Sequence, residues 1–265
     1  MKPMAFTLVI PLLAGWSSGW LINYLADVLP ATRRLSAPVC ARCGHRHAPG
    51  DYLLFRACRE CGRGRGWRPW LVQLVMLAVS LYTWLRPHAM GYAVGMVLLT
   101  YFGLVVVIDM EHRLILHPTS VVGALLALLI GLRLHGPAST LEGGLAGLVI
   151  MLALYYLGVL FSKYRARRMR AAGQEADAEE ALGAGDVILA AILGLVIGWP
   201  IIWFALLLGI LLGGLVGIVL LAGMLLRGLY GRQALMVFMP YGPYFIMSAF
   251  IILFLPNWIT GALGR

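Results

Sequence analysis

The sequence predicts an all-α polytopic membrane protein of about eight transmembrane helices with a small cytoplasmic module that holds every cysteine. Three observations carry this. The chain is 61% hydrophobic and 12% charged, far from the balance of a soluble domain. Apolar runs able to cross about 30 Å of hydrocarbon recur along its 265 residues. Basic residues crowd into alternate loops between those runs.

The runs are Met4 to Ala26, Trp70 to Leu85, Ala89 to Ile108, Thr119 to Leu134, Leu141 to Phe161, Leu182 to Gly198, Ile201 to Leu226 and Leu235 to Pro256. Lys2 before the first run mimics a signal peptide. The run is long and no small-residue cleavage site is evident, so it is read as a retained span. With both termini on one side, the loops after spans one, three, five and seven share a face and hold seventeen of the 21 Lys and Arg residues. The four on the other face are Lys2, Arg86, Arg133 and Arg265. The positive-inside rule places the rich face in the cytoplasm. This bias, with attraction to anionic lipid headgroups, accounts for the net charge of +10, so membrane lipid and not nucleic acid is the expected partner. The chain divides into residues 1–88, with the first two spans and the long loop between them, and 89–265, a six-span core.

The loop from Asp27 to Pro69 contains Cys40-Ala-Arg-Cys43 and Cys58-Arg-Glu-Cys61, fourteen residues apart. Each Cys-x-x-Cys brings two thiolates to about 2.3 Å from one zinc ion, and two such knuckles complete a tetrahedron. Gly44 and Gly62 follow the knuckles, where positive φ is accessible. A reducing compartment disfavours disulfides, so Cys40, Cys43, Cys58 and Cys61 are read as ligands of structural Zn2+. His45 and His47 are alternative ligands, read as solvent-exposed. A second loop, Ser162 to Ala181, runs from basic (Lys163, Arg165, Arg167, Arg168, Arg170) to acidic (Glu175, Asp177, Glu179, Glu180) and reads as a solvated helical extension or linker.

Two acids stand at the ends of apolar runs: Asp109, after Val-Val-Val-Ile, and Asp186, in Leu-Gly-Ala-Gly-Asp-Val. A carboxylate inside a membrane costs roughly 2.5–3.5 kcal/mol on insertion scales and marks a functional site by default. The predicted topology puts both near the cytoplasmic boundary. Two close carboxylates cannot both ionise, so one serves as base toward water and the other as acid toward a carbonyl, the chemistry of aspartic proteases. Gly183 and Gly185 are expected to supply unusual backbone angles and close substrate approach. The competing reading makes Asp186 a helix cap; it suits Asp109 badly, because the macrodipole disfavours an acid at a helix C-terminus. Glu111 and His112 follow Asp109, with His112 one turn on, where it either supports the site or faces headgroups. A scaffold or transporter using the acids for protons or cations is the non-enzymatic alternative.

Taken in order, Gly19 to Pro30, the two Cys pairs, Ile108-Asp109-Met110-Glu111-His112, Leu182-Gly183-Ala184-Gly185-Asp186-Val187 and Pro240-Tyr241-Gly242-Pro243-Tyr244 resemble the type IV prepilin peptidases over nearly the whole chain. The resemblance implies that Asp109 and Asp186 are the catalytic pair, with Gly183, Gly185, Glu111, His112, Pro240, Gly242 and Pro243 supporting the site. It implies a bacterial inner-membrane enzyme that cuts prepilins or pseudopilins after a Gly at the cytoplasmic face. It also implies N-methylation of the new terminus from S-adenosylmethionine, a task linked to the N-terminal half. The chain departs from the family pattern at Ile188, where Lys is usual, at Asp27 and Val28, where Tyr-Arg is usual, and at Gln73, where an acid is usual. The loop between the Cys pairs is also shorter than the family's.

Overall fold

An apolar run in lipid can satisfy its backbone groups internally only as a helix. In a computed structural model of the chain, which describes residues 4–86, 88–171, 183–226 and 240–255, the described part of each of the eight runs lies largely on a helix. The elements are α1 (Met4–Thr32), the short α2 (Pro49–Leu53), α3 (Arg68–Leu85), α4 (Tyr92–His112), α5 (His117–Ala171), α6 (Ala184–Ile197), α7 (Ile201–Leu226) and α8 (Gly242–Phe254). No strand occurs among the described residues; Val39 and Arg46 form one isolated antiparallel bridge. Lys2, Leu182, residues 235–239, Arg265 and the acidic stretch Glu175 to Glu180 lie outside the described residues.

Among the described residues, four helices are long and apolar enough to cross a membrane: 8–32, 92–112, 117–168 and 201–226. The third breaks at Gly136, whose φ of 77° and ψ of 175° leave the helical region ahead of Pro137. The break divides it into two limbs, as the two predicted runs on either side of Gly-Pro require. Helix α6 is apolar but has 14 residues and rises only about 21 Å. Past Phe161, α5 continues as a helix bearing exposed Lys163, Arg165, Arg167 and Arg168, the solvated extension expected there.

The chain forms two compact units, Met1–Leu114 and Ile115–Arg265. In the first, α1 packs on α3 and α4 along a seam of period four. Ser80 donates to the Pro11 carbonyl (2.6 Å), Gly15 abuts the Met76 carbonyl, Gly19 abuts Gln73, and Asn23 donates to the Pro69 carbonyl (3.2 Å). Small residues four apart let two backbones approach closely in lipid. Gln73 is 1% exposed, and with its amide oriented to suit its neighbours it donates to the Trp16 carbonyl and accepts from the Trp20 N–H of α1, each at 3.1 Å. The departure from the usual acid therefore places a neutral group with both a donor and an acceptor at a buried helix crossing.

In the second unit α6 is the buried centre, packed by α5, α7 and α8, with Leu189, Ala190 and Val196 fully buried. Its fit depends on glycine. A Cβ on Gly143 or Gly147 would come within 2.4 Å of the Gly194 or 2.3 Å of the Ala190 carbonyl oxygen. Beyond its C-terminus, the Trp199 N–H donates to the Ser139 carbonyl (2.9 Å), and the Ser139 hydroxyl donates back to Trp199 (2.8 Å).

Candidate functional site

The two knuckles of the cysteine loop have matching backbones. Cys40 N–H donates to His45 and Gly44 N–H to Cys40 (2.8 and 2.9 Å); Cys58 N–H donates to Arg63 and Gly62 N–H to Cys58 (3.0 and 2.9 Å). Gly44 and Gly62 adopt φ of 71° and 66°, as expected from their positions. The four sulfurs lie within 4.8 Å of one another, with Cys40–Cys61 and Cys43–Cys58 both at 3.6 Å. Ligands about 2.3 Å from a tetrahedral zinc sit about 3.8 Å apart, so the donor set and its spacing fit such an ion.

The charges point the same way. Backbone hydrogen bonds from Arg42 and Cys43 pull the Cys40 thiol down to about 6. A backbone hydrogen bond from His45 also lowers Cys43, but burial and the neighbouring sulfurs outweigh it and push that thiol up to about 12. Four adjacent thiolates repel one another unless a cation sits among them. His45 is exposed, 3.8 Å from Glu60, as expected. His47 is half-buried and lies edge-on to Tyr52 at 6.0 Å, with its imidazole held below the ordinary value first by burial and then by Arg65. Asp51, 5% exposed, pairs with Arg59 at 2.5 Å and Arg56 at 3.7 Å.

Asp109 is 5% exposed on the last turns of α4. The helix continues through His112, which is exposed, and ends on Arg113 in the left-handed region, whose N–H donates to the Asp109 carbonyl (2.9 Å). Glu111 is exposed and accepts from Arg68 at 2.8 Å.

Asp186, half-buried, is the third residue of α6. Its carboxylate accepts from the Gly183 N–H (3.3 Å), and its own N–H donates to the Gly183 carbonyl (3.0 Å). The acid thus caps its helix and lies at the favourable end of the macrodipole. The expectation of unusual angles at the glycines is overturned. Neither has positive φ, and Gly183 is ordinary extended backbone (φ −79°, ψ 143°). Gly185 is needed for a different reason: a Cβ there would lie 2.9 Å from Cβ of Ile115.

Pro240 precedes the start of α8, Tyr241 stands at its N-cap, Gly242 is buried and Pro243 fills its first turn. Tyr241 and Tyr244 fill the groove over Gly213 of α7, and Phe245 fills that over Gly209. The element therefore docks α8 onto α7.

Sequence reasoning passed over the cluster around Asp27. This residue, noted only as a departure, accepts from Tyr52, Arg65 and Arg68. The Arg65 guanidinium lies 3.8 Å over the Tyr52 ring. Burial and then the Asp27 charge raise the Tyr52 phenol, keeping it protonated as a donor. The available signal was the acid itself, directly ahead of a loop rich in arginine.

These features define a helical membrane protein with a carboxylate at one end of a helix in each unit and a four-thiol cluster outside the spans. Residues 96–218, the stretch carrying both Asp109 and Asp186, match the model of the type IV leader peptidase family. The cysteine module and the Pro-Tyr-Gly-Pro element fall outside the matched residues. Neither curated proteins nor solved structures give a match.

Proposed function

We propose that this protein is an intramembrane aspartic endopeptidase that removes the leader of prepilins or pseudopilins, cutting after a Gly at the cytoplasmic face of a bacterial inner membrane. The observation that carries the reading is that the family match spans both helix-end aspartates. In this mechanism Asp109 and Asp186 work as one acid–base pair. The ionised member takes a proton from water as the water attacks the scissile carbonyl, and the protonated member donates to the carbonyl oxygen. The proton then passes to the leaving amine, and the pair titrates as a unit.

The six-span core, 89–265, would carry the chemistry. The cysteines would hold one Zn2+, and with four thiolates that ion has no open position for water, so its role is to fold the module. Methylation from S-adenosylmethionine is a further step implied by resemblance alone.

The test is the N-terminal peptide mass of a prepilin co-expressed with this protein, beside Asp109→Asn and Asp186→Asn. The expected result is a shortened pilin with the wild type and an intact one with either variant, at equal membrane levels of all three. Substantial cleavage by either variant would remove the pair. The same spectrum reports methylation as one added methyl group.

A further inference from the structure

We infer that the four-cysteine module sets the position of the α4 end that carries Asp109, acting through Asp27, Arg68 and Glu111. The functional meaning of this coupling rests on the peptidase reading; the coupling itself does not.

The chain of contacts lies wholly within the first unit. The second knuckle closes with the Cys58 N–H on the Arg63 carbonyl, and Arg65 follows two residues later. Arg65 is 8% exposed; it donates to the Tyr52 carbonyl (3.0 Å) and pairs with Asp27. Tyr52 donates to Asp27 as well and to the Asn23 carbonyl (3.2 Å). Asp27 thus receives two groups from the cysteine loop on one side. On the other it receives Arg68, and the second nitrogen of that same guanidinium reaches Glu111 at 2.8 Å.

Glu111 is two residues beyond Asp109 on one helix. The guanidinium is planar and rigid, so a shift at Asp27 is passed to Glu111 and does not dissipate in a flexible stem. Arg65 and Arg68 are largely covered and Asp27 is about a quarter exposed, which places the two Asp27 pairs above the exposed class that contributes almost nothing; Glu111 closes the chain at its more exposed edge. Asp27, Arg65, Arg68 and Glu111 are accordingly positioning residues, since none needs to touch the substrate.

Without its metal the loop loses the restraint at Cys58 and Cys61, and Arg65 loses its fixed approach to Asp27. Two perturbations, removing the metal and neutralising Asp27, then cut the same chain of contacts. Cutting one chain twice costs no more than cutting it once, whereas independent effects would multiply.

The experiment is hydrogen–deuterium exchange on the full chain in lipid nanodiscs, zinc-loaded or treated with chelator, for wild type, Asp27→Asn and Glu111→Asp. In wild type, chelation is expected to raise exchange about tenfold at the amides of residues 110–114, the Arg113 N–H among them, as well as in the loop. Zinc-loaded Asp27→Asn should show the same rise at 110–114 with the loop still protected, and chelation should then add nothing there. Glu111→Asp, which keeps the charge, should stay near wild type.

Exchange at 110–114 that ignores chelation, or effects of chelation and Asp27→Asn that multiply, would overturn the coupling. In cleavage assays Asp27→Asn should lower kcat about 10- to 100-fold, as misplacement of a reacting group by about 1 Å does, with KM within about twofold. Coupled exchange beside a wild type that cuts no prepilin would sink the peptidase reading and leave this coupling in place.

Discussion

Gly143 of α5 and Gly194 of α6 meet backbone to backbone: a Cβ on Gly194 would lie 2.1 Å from the Gly143 carbonyl oxygen, and one on Gly143 would lie 2.4 Å from that of Gly194. Neither obstacle is a flexible side chain, so the two helices would have to separate to admit a methyl group. Helix α6, which begins with the Asp186 cap, is held at this depth by these contacts.

Gly194→Ala is therefore expected to destabilise the second unit by about 1–3 kcal/mol, the usual cost of overpacking, read as a lower thermal midpoint in detergent. Gly214→Ala, with open space where its Cβ would point, should be neutral or stabilising by about 0.5–1 kcal/mol because alanine favours the helix. Equal effects at the two positions would contradict the packing argument.

Asp186 has a structural task as a cap and a proposed chemical one, and Asp186→Glu separates them. Glutamate at the third helical position preserves both the cap and the charge–dipole interaction. It also moves the carboxyl outward by one methylene. The variant should keep wild-type abundance and thermal stability while cleaving at least about 100-fold more slowly, since misplacement of about 1 Å costs that much. Wild-type cleavage would leave Asp186 with the cap alone.

Purified protein should hold one zinc per chain. Cys40→Ser should lower the occupancy and leave membrane insertion intact, because the spans do not depend on the module. Chelation should expose four titratable thiols, and metal affinity should fall with acidity as protons compete for the sulfurs. Elemental analysis with thiol titration checks this. A metal-free preparation whose module is as protected from protease as the loaded one would contradict a structural role.

The hydrogen bond from Arg59, and then its charge, hold the Asp51 carboxyl below its ordinary value, so folding favours the ionised form. Such a group stabilises fully above its unfolded pKa of about 3.9, and the contribution is lost as pH falls through the lower folded value. Asp51→Asn should thus release zinc to a chelator faster than wild type at pH 7. The two rates should converge as the pH drops below about 4. Thiol protonation is common to both proteins and cancels in their ratio; a ratio independent of pH would refute the linkage.

Much of this architecture was legible before any coordinates. The apolar runs fell on helices because lipid leaves the backbone no other way to satisfy itself, and Gly-Pro at 136–137 punctuated the long pair. Cys-x-x-Cys-Gly determined both knuckles because the turn is local and glycine supplies its positive φ. Asp109 and Asp186 stood out because their charge is costly in an apolar surrounding. Gly183 and Gly185 do not take the unusual backbone angles expected of them, and Gly185 is kept small by Ile115: a sequence shows that a residue lacks a side chain but not what neighbour would meet one.

By itself, then, the sequence determined what depends on near neighbours and on solvent: helices from apolar length, turns from glycine, a thiol cluster from spacing, and two anomalous acids. Only the tertiary structure decided that Gly185 is kept small by Ile115 and that Gln73 is set against Gly19. It alone joined Asp27 to Arg65 and, through Arg68, to Glu111, across 41 residues to Arg68 and a further 43 to Glu111. Those relations arise where segments remote in the chain are pressed together, and no local rule of propensity or spacing encodes which remote surfaces will meet.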